Sequence, residues 1–249
     1  MNLANNTILV TGATRGIGRE LTRQLIAHGA RVVAVARDRD RLAALTHEHG
    51  DHISGWVVDL TDPQAVDGFV SRVIERHPGL SVVINNAGVQ TLTDFFDEQP
   101  QALQPVLRRE VAVNLDAVIA LSTCMLPHLR RQPSAAIVNI TTGLALAPKR
   151  SAPVYCATKA GVRAFTRALR YQCRHSAPHI RVLEVVMALV DTDMTHGRGR
   201  GKISASAAAT AVIDGLGRGR DEIYVGKVKL LRTLMRLSPA LGYRILRDS

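Results

Sequence analysis

The chain has 249 residues, 46% hydrophobic but only 4% aromatic, and its 32 Lys and Arg against 21 Asp and Glu give a formal net charge of +11. That length suits one large α/β domain with an ample, mostly aliphatic core. Cys124, Cys156 and Cys173 fit no metal spacing and leave one thiol over in any pairing, which argues against a zinc site or disulfide scaffold and for a reducing, cytoplasmic setting.

The first residues carry neither a basic start nor an apolar run, and no stretch is expected to reach the length of a membrane span. Apolar runs of strand length then alternate with longer helical patterns as far as Gly226, which predicts an α/β fold, a single Rossmann-type doubly wound parallel sheet with helices on both faces. Strands are expected at Thr7–Thr11, Arg31–Ala36, 55–59, 81–85, 136–141, 181–190 and 222–226, about seven in one open sheet. Helices are expected over 16–28, 39–47, 63–77, 101–129, 153–174, 204–216 and 228–246. No repeat or linker divides the chain.

Three short motifs follow one another along this frame. After the first strand comes Thr11-Gly-Ala-Thr-Arg-Gly-Ile-Gly18, where Gly12, Gly16 and Gly18 allow a sharp bend into a helix whose N-terminal amides face a phosphate. Asn85-Asn-Ala-Gly88 ends the fourth strand with residues that bond their own backbone and permit close approach. Tyr155-Cys-Ala-Thr-Lys159 puts a phenol and an ammonium on one helix face. A cation about 5 Å from a phenol, at an effective dielectric of about 20, favours the phenolate by roughly 3 kcal/mol, so Lys159 is expected to draw the Tyr155 pKa down. Dinucleotide pyrophosphate, nicotinamide wall and proton donor together point to an oxidoreductase. On this reading 1–226 is a dinucleotide-binding catalytic domain and 227–249 a basic amphipathic C-terminal extension of it.

The Thr-Gly-x-x-x-Gly-x-Gly spacing, with the two later motifs behind it, resembles the short-chain dehydrogenase/reductase family over nearly the whole chain. The segments Thr142-Gly-Leu-Ala, Pro153–Lys159 and Asp221–Gly226 resemble a bacterial subgroup of DltE-type oxidoreductases. The resemblance implies a hydride passed between a nicotinamide and a carbonyl/alcohol pair. Tyr155 is then the general acid/base, Lys159 its partner, Thr142, thirteen positions earlier, the hydroxyl on the substrate oxygen, and Asn114 the support of a proton-relay water. It implies cofactor contacts from Gly12, Arg15, Gly16, Ile17, Gly18, Asp59, Leu60, Asn86, Ala87, Gly88, Val190 and Thr192, besides Tyr155 and Lys159.

Counting about 20 residues from the glycines selects Asp38 as a ribose partner and NAD(H). The family register instead puts Arg37 directly after the second strand, where it and Arg15 meet a 2′-phosphate, so NADP(H) is the expected cofactor and NAD(H) the alternative. No metal is required. The family precedent also implies a homodimer or homotetramer built on 101–129 and 153–174. Two departures stand out: threonine replaces the usual serine at Thr142, and Met187-Ala188 replaces the usual Pro-Gly. They make a cofactor-binding regulator or scaffold with little turnover the leading alternative to an enzyme.

The charge excess gathers in the tail, where 218–249 holds eight basic and three acidic residues. Leu230, Leu231, Leu234, Met235 and Leu237 alternate there with Lys229, Arg232 and Arg236. This pattern suits a packed helix that helps roof the substrate cleft, favoured here over contact with an anionic membrane. The glycine-arginine patch 196–202 is expected to be either a mobile lid over the substrate or an ordinary flexible loop. Without stacking aromatics, neither this patch nor 217–220 reads as a nucleic-acid surface. Nothing in the sequence selects the small-molecule substrate.

Overall fold

The structure, a computed structural model, describes residues 3–197, 199 and 201–248. Nine strands and nine α-helices are formed among them. Strands β1 (Thr7–Thr11), β2 (Arg31–Ala36), β3 (Ile53–Val57), β4 (Leu80–Asn85), β5 (Ala135–Thr142), β6 (Ile180–Met187) and β9 (Glu222–Tyr224) make one parallel sheet in the order β3-β2-β1-β4-β5-β6-β9. The short β7 (Val190–Asp191) and β8 (Ile203–Ser204) pair apart from it.

Each central strand is apolar on both sides because helices cover both faces of a parallel sheet. Alternation decides which side chain goes where. Ile8 and Val10 pack on one face with Leu21 and Leu25 of α1 (Gly16–Ala27) and Val212 of α7 (Ala205–Gly217). Leu9, between them, packs on the other with Phe69 of α3 (Pro63–Arg76), Met125 of α5 (Ala117–Leu129) and Leu169 of α6 (Pro153–Ser176). The direction of strand order reverses between β1 and β4, so the carboxyl ends of these two strands open the crevice in which such sheets bind ligands.

Five expectations need correction. The third strand ends at Val57, two residues early, because Asp59 turns the chain by accepting bonds from the Thr61 amide and hydroxyl at 3.0 and 2.9 Å. The sixth strand leaves the sheet after Met187, and Val190 joins β8 instead. The C-terminal helix is two, α8 (Val228–Leu237) and α9 (Pro239–Arg247), since Pro239 has no amide to give and forces Ser238 into extended backbone at φ −151°. The expected 101–129 helix is α4 (Pro100–Val111) and α5 joined through a π-helical turn at Ala112–Asp116. That joined run is long and apolar enough by length and composition to cross a membrane, contrary to expectation. In this fold its Leu121, Met125 and Leu129 are fully buried in the core. Helix α2 (Arg39–His49) completes the set.

Candidate functional site

A single cleft of about 1280 Å³ runs across the carboxyl ends of the strands. One wall is the β1–α1 turn. Gly12 and Gly16 take left-handed backbone at φ +67° and +52°, which favours glycine at both. A Cβ on Gly12 would sit 3.0 Å from Ala87 Cα, and one on Gly18 would strike the Gly12 carbonyl oxygen, so the turn and the end of β4 touch only because these residues lack side chains. Helix α1 begins with no side-chain cap and no acidic residue in its first turn, which leaves its positive end free to meet an anion.

Thr11 and Asn86 tie the two strand ends together. The Thr11 hydroxyl accepts the Asn86 and Ala87 amides, each at 3.0 Å, and Asn86 Nδ2 donates to the Thr11 carbonyl at 2.9 Å. One layer below, Asn85 Nδ2 donates to Asn139 Oδ1 at 2.8 Å and Asn139 Nδ2 to Thr166 at 2.9 Å, a buried polar chain that fixes β4, β5 and α6 in register.

The adenosine end of the expected site is basic. Arg15, Arg37 and Arg41 line the cleft there. Asp38, the alternative ribose partner, lines it as well, but its carboxylate caps α2 through the Arg41 amide at 3.0 Å and pairs with the Arg41 guanidinium at 3.3 Å. Leu60 lines the cleft while Asp59 does not, its carboxyl held below the usual range chiefly by the Thr61 amide.

At the other end, Thr142, Tyr155 and Lys159 meet on the cleft wall with Met187, Ala188, Val190 and Thr192. Thr142 ends β5, and its hydroxyl accepts the Leu144 amide at 3.4 Å. The neighbouring Thr141 hydroxyl is committed to Glu184 at 2.6 Å, so Thr142 is the available hydroxyl. Lys159 is 4% exposed, and its Nζ donates to the Ile140 carbonyl at 3.0 Å and lies 6.0 Å from the Tyr155 ring centre.

The expected lowering of the Tyr155 pKa is not found. Burial pushes the phenol up, and the charges of Cys156 and Glu110 push it the same way. Burial also brings Lys159 down to about 8, against which the Glu110 carboxylate pulls upward. A phenol raised in this way stays protonated through neutral pH, which suits a proton donor rather than a base.

Asn114 and Gly18 do not line the cleft; both act behind it. Asn114 sits in the π-helical turn, a distortion common at functional sites. Its Oδ1 accepts the Val89 amide at 2.9 Å and its Nδ2 donates to the Val89 carbonyl at 2.8 Å and to Thr158 at 3.3 Å. A Cβ on Gly88 would lie 3.4 Å from Asn114 Oδ1 and 3.6 Å from Lys159 Nζ, so glycine there keeps the amide and the ammonium on one shared side.

Sequence reading missed Glu110, one turn before Asn114 and 1% exposed. Its Oε1 accepts the Thr91 amide at 3.3 Å, its Oε2 has no partner, and burial raises its pKa against the opposing pull of Lys159. A charged residue at helical spacing from a buried amide was the available signal. Of the expected lid, Gly199 and Gly201 line the cleft, while Arg198 and Arg200 lie outside the described residues.

The short chain dehydrogenase family model matches residues 6–202. The uncharacterized oxidoreductase DltE of Bacillus subtilis (strain 168) is 35% identical over 95% of this chain and 94% of its own. A crystal structure of a short chain dehydrogenase from Burkholderia cenocepacia J2315 in complex with NADP superimposes with a TM-score of 0.86 at 28% identity, covering all of both chains. One from Burkholderia phymatum in complex with NAD reaches 0.84 over 95% of this chain and 96% of its own, where 19% identity shows the shared fold alone.

Proposed function

The chain belongs to the short-chain dehydrogenase/reductase family, and from that premise we propose that it is an NADP(H)-dependent oxidoreductase acting on a carbonyl/alcohol pair. The observation that carries the proposal is the juxtaposition in one cleft of a bare helix N-terminus, three arginines and the Thr142–Tyr155–Lys159 group.

The residues fit a dinucleotide. Gly12, Gly16 and the α1 amides would hold its pyrophosphate, since no Cβ or carboxylate blocks that approach. Arg15, Arg37 and Arg41 would take the 2′-phosphate that distinguishes NADP(H), and Asp38, spent on its cap and on Arg41, leaves the position net basic. Ala87, Gly88, Val190 and Thr192 would border the nicotinamide. That ring, when bound, supplies the hydride.

The chain's own residues manage the proton and the geometry. Thr142 orients the substrate oxygen through its hydroxyl. Tyr155, held protonated by its surroundings, gives its phenolic proton to that oxygen as negative charge develops there. Lys159 places a cation behind the phenol, which steadies the phenolate left after transfer. Asn114 fixes the 88–91 segment against α6, so that a proton can be returned along a constant path.

Self-association belongs to the same proposal, with α4, α5 and α6 as the pairing helices; Val106 and Tyr171 are exposed on them, and sedimentation equilibrium tests it. Three free thiols support a cytoplasmic setting, tested by cell fractionation. The activity is tested by oxidation of NADPH and NADH against a panel of ketones and aldehydes. NADPH turnover above the NADH rate supports the proposal; saturable NADPH binding with no turnover across the panel would favour a cofactor-sensing role.

A further inference from the structure

The cleft exceeds the roughly 300–1,000 Å³ of an ordinary single-ligand site. It has room for a second molecule beside a dinucleotide, and the wall left to that molecule has a definite chemistry. Its far side is built by the turn after β5 and by α8 and α9. Among the described residues that 143–149 and 227–246 contribute to the lining, only Lys149 and Lys227 are polar. Leu144, Leu230, Leu231, Leu234, Ile245 and Leu246 supply most of the rest.

Helix α8 is strongly two-sided. Val228 is buried against Tyr224 and Val186, and Leu231 and Leu234 are half-buried on the cleft. Lys229, Arg232 and Arg236 point elsewhere, with the Arg232 guanidinium 4.5 Å over the Tyr224 ring. The basic face is therefore settled on the protein's own surface. The apolar face is covered only in part, by Val228 on Tyr224 and Val186 and by Leu231 beside Gly143 and Gly242. Leu230 is 74% exposed and Ile245 54% exposed although both line the cleft. A small polar substrate would leave these side chains in water, whereas a hydrocarbon chain would bury them.

We infer that the carbonyl substrate carries an extended apolar chain, which lies along the leucine face of α8 and α9 while its carbonyl end reaches Thr142 and Tyr155. The inference rests on the oxidoreductase reading for the reacting end and on the α8–α9 lining for the chain. Closure of the roof by a second copy, or by the helices folding inward, are the other ways to cover these leucines. Either would make ligand affinity indifferent to chain length.

The test measures binding and turnover side by side. Straight-chain methyl ketones of increasing length are titrated by calorimetry into the protein saturated with NADP+, and the same series is assayed with NADPH. Affinity is expected to rise about three- to fourfold for each methylene added, with a negative heat-capacity change. Leu230→Ser, at an exposed position that folding does not depend on, and Leu234→Ser are expected to flatten that rise. Affinity independent of chain length, or a rise that both variants keep, would overturn the inference. Turnover of glyceraldehyde beside a flat ketone series would leave the oxidoreductase reading standing and this one refuted. A steep binding series with no NADPH oxidation would uphold the apolar site and refute the activity.

Discussion

Asn114 holds Val89 by both of its backbone groups, accepting the amide at 2.9 Å and donating to the carbonyl at 2.8 Å, from a π-helical turn that no other part of the α4–α5 run shares. The side chain thus does for the 88–91 segment what a neighbouring strand would do. This makes a polar residue at the centre of an apolar helix a requirement of the fold as well as of the site.

Asn114→Ala removes both bonds from the half-buried Val89 amide and carbonyl and leaves a gap at the fully buried Asn114 position. The expected cost is about 2 kcal/mol or more of stability, measured by urea unfolding, together with a lower kcat for NADPH oxidation. An unchanged midpoint and slope would show that the two bonds are replaced without loss.

Lys159 is protonated in the unfolded chain up to about pH 10.5 but in the fold only up to about 8. Between those values the unfolded state binds more protons, so the lysine's contribution to stability rises as pH rises; below 8 the buried cation exacts its full cost. Relative to Lys159→Met, the wild type should gain on the order of 3 kcal/mol between pH 8 and 10.5 and stay level below 8. A difference that is constant across pH 6 to 10.5 would contradict the burial of the charge.

Glu110 behaves in the opposite sense. Its raised pKa means that the fold holds a proton the unfolded chain has lost, so the carboxyl's contribution falls as pH climbs above the ordinary carboxylate value. Glu110→Gln should therefore overtake the wild type in stability at neutral pH. The same change removes the anion that supports the Lys159 cation, so the midpoint of the Lys159-dependent stability gain should move to lower pH. Thermal melts across pH 4 to 10.5 read both effects.

Arg37→Ala should weaken NADPH binding about tenfold, the scale of one charge-assisted hydrogen bond at an exposed position, and leave NADH nearly unaffected. Fluorescence titration with the two cofactors decides it. Equal losses for both would place Arg37 outside the 2′-phosphate contact.

How much of this was legible in the sequence depended on whether the deciding interaction was local. β1 and β2 lie where the apolar runs put them, because a buried parallel strand is defined by its own composition. The Gly12–Gly18 turn was legible for the same reason: a left-handed φ needs glycine wherever the chain goes next. The break at Pro239 was written in the sequence and lost beneath the regular leucine spacing on either side of it. The π-helical turn was not written there: no local pattern marks it, and its Asn114 bonds to Val89, 25 positions away. The sign of the Tyr155 shift was out of reach too. Helical spacing brings Lys159 near the phenol, but only the packed structure shows that burial, with Cys156 and Glu110, sets the direction of the shift.

The measurement that bears most directly on the proposed chemistry compares the wild type with Tyr155→Phe, using NADPH and whichever carbonyl the wild type reduces. The proton-donor role predicts a fall in kcat of about two to four orders of magnitude with NADPH affinity unchanged within about twofold. A variant that keeps the wild-type rate would show that the proton comes from elsewhere, and the role given to the Thr142–Tyr155–Lys159 group would fall with it.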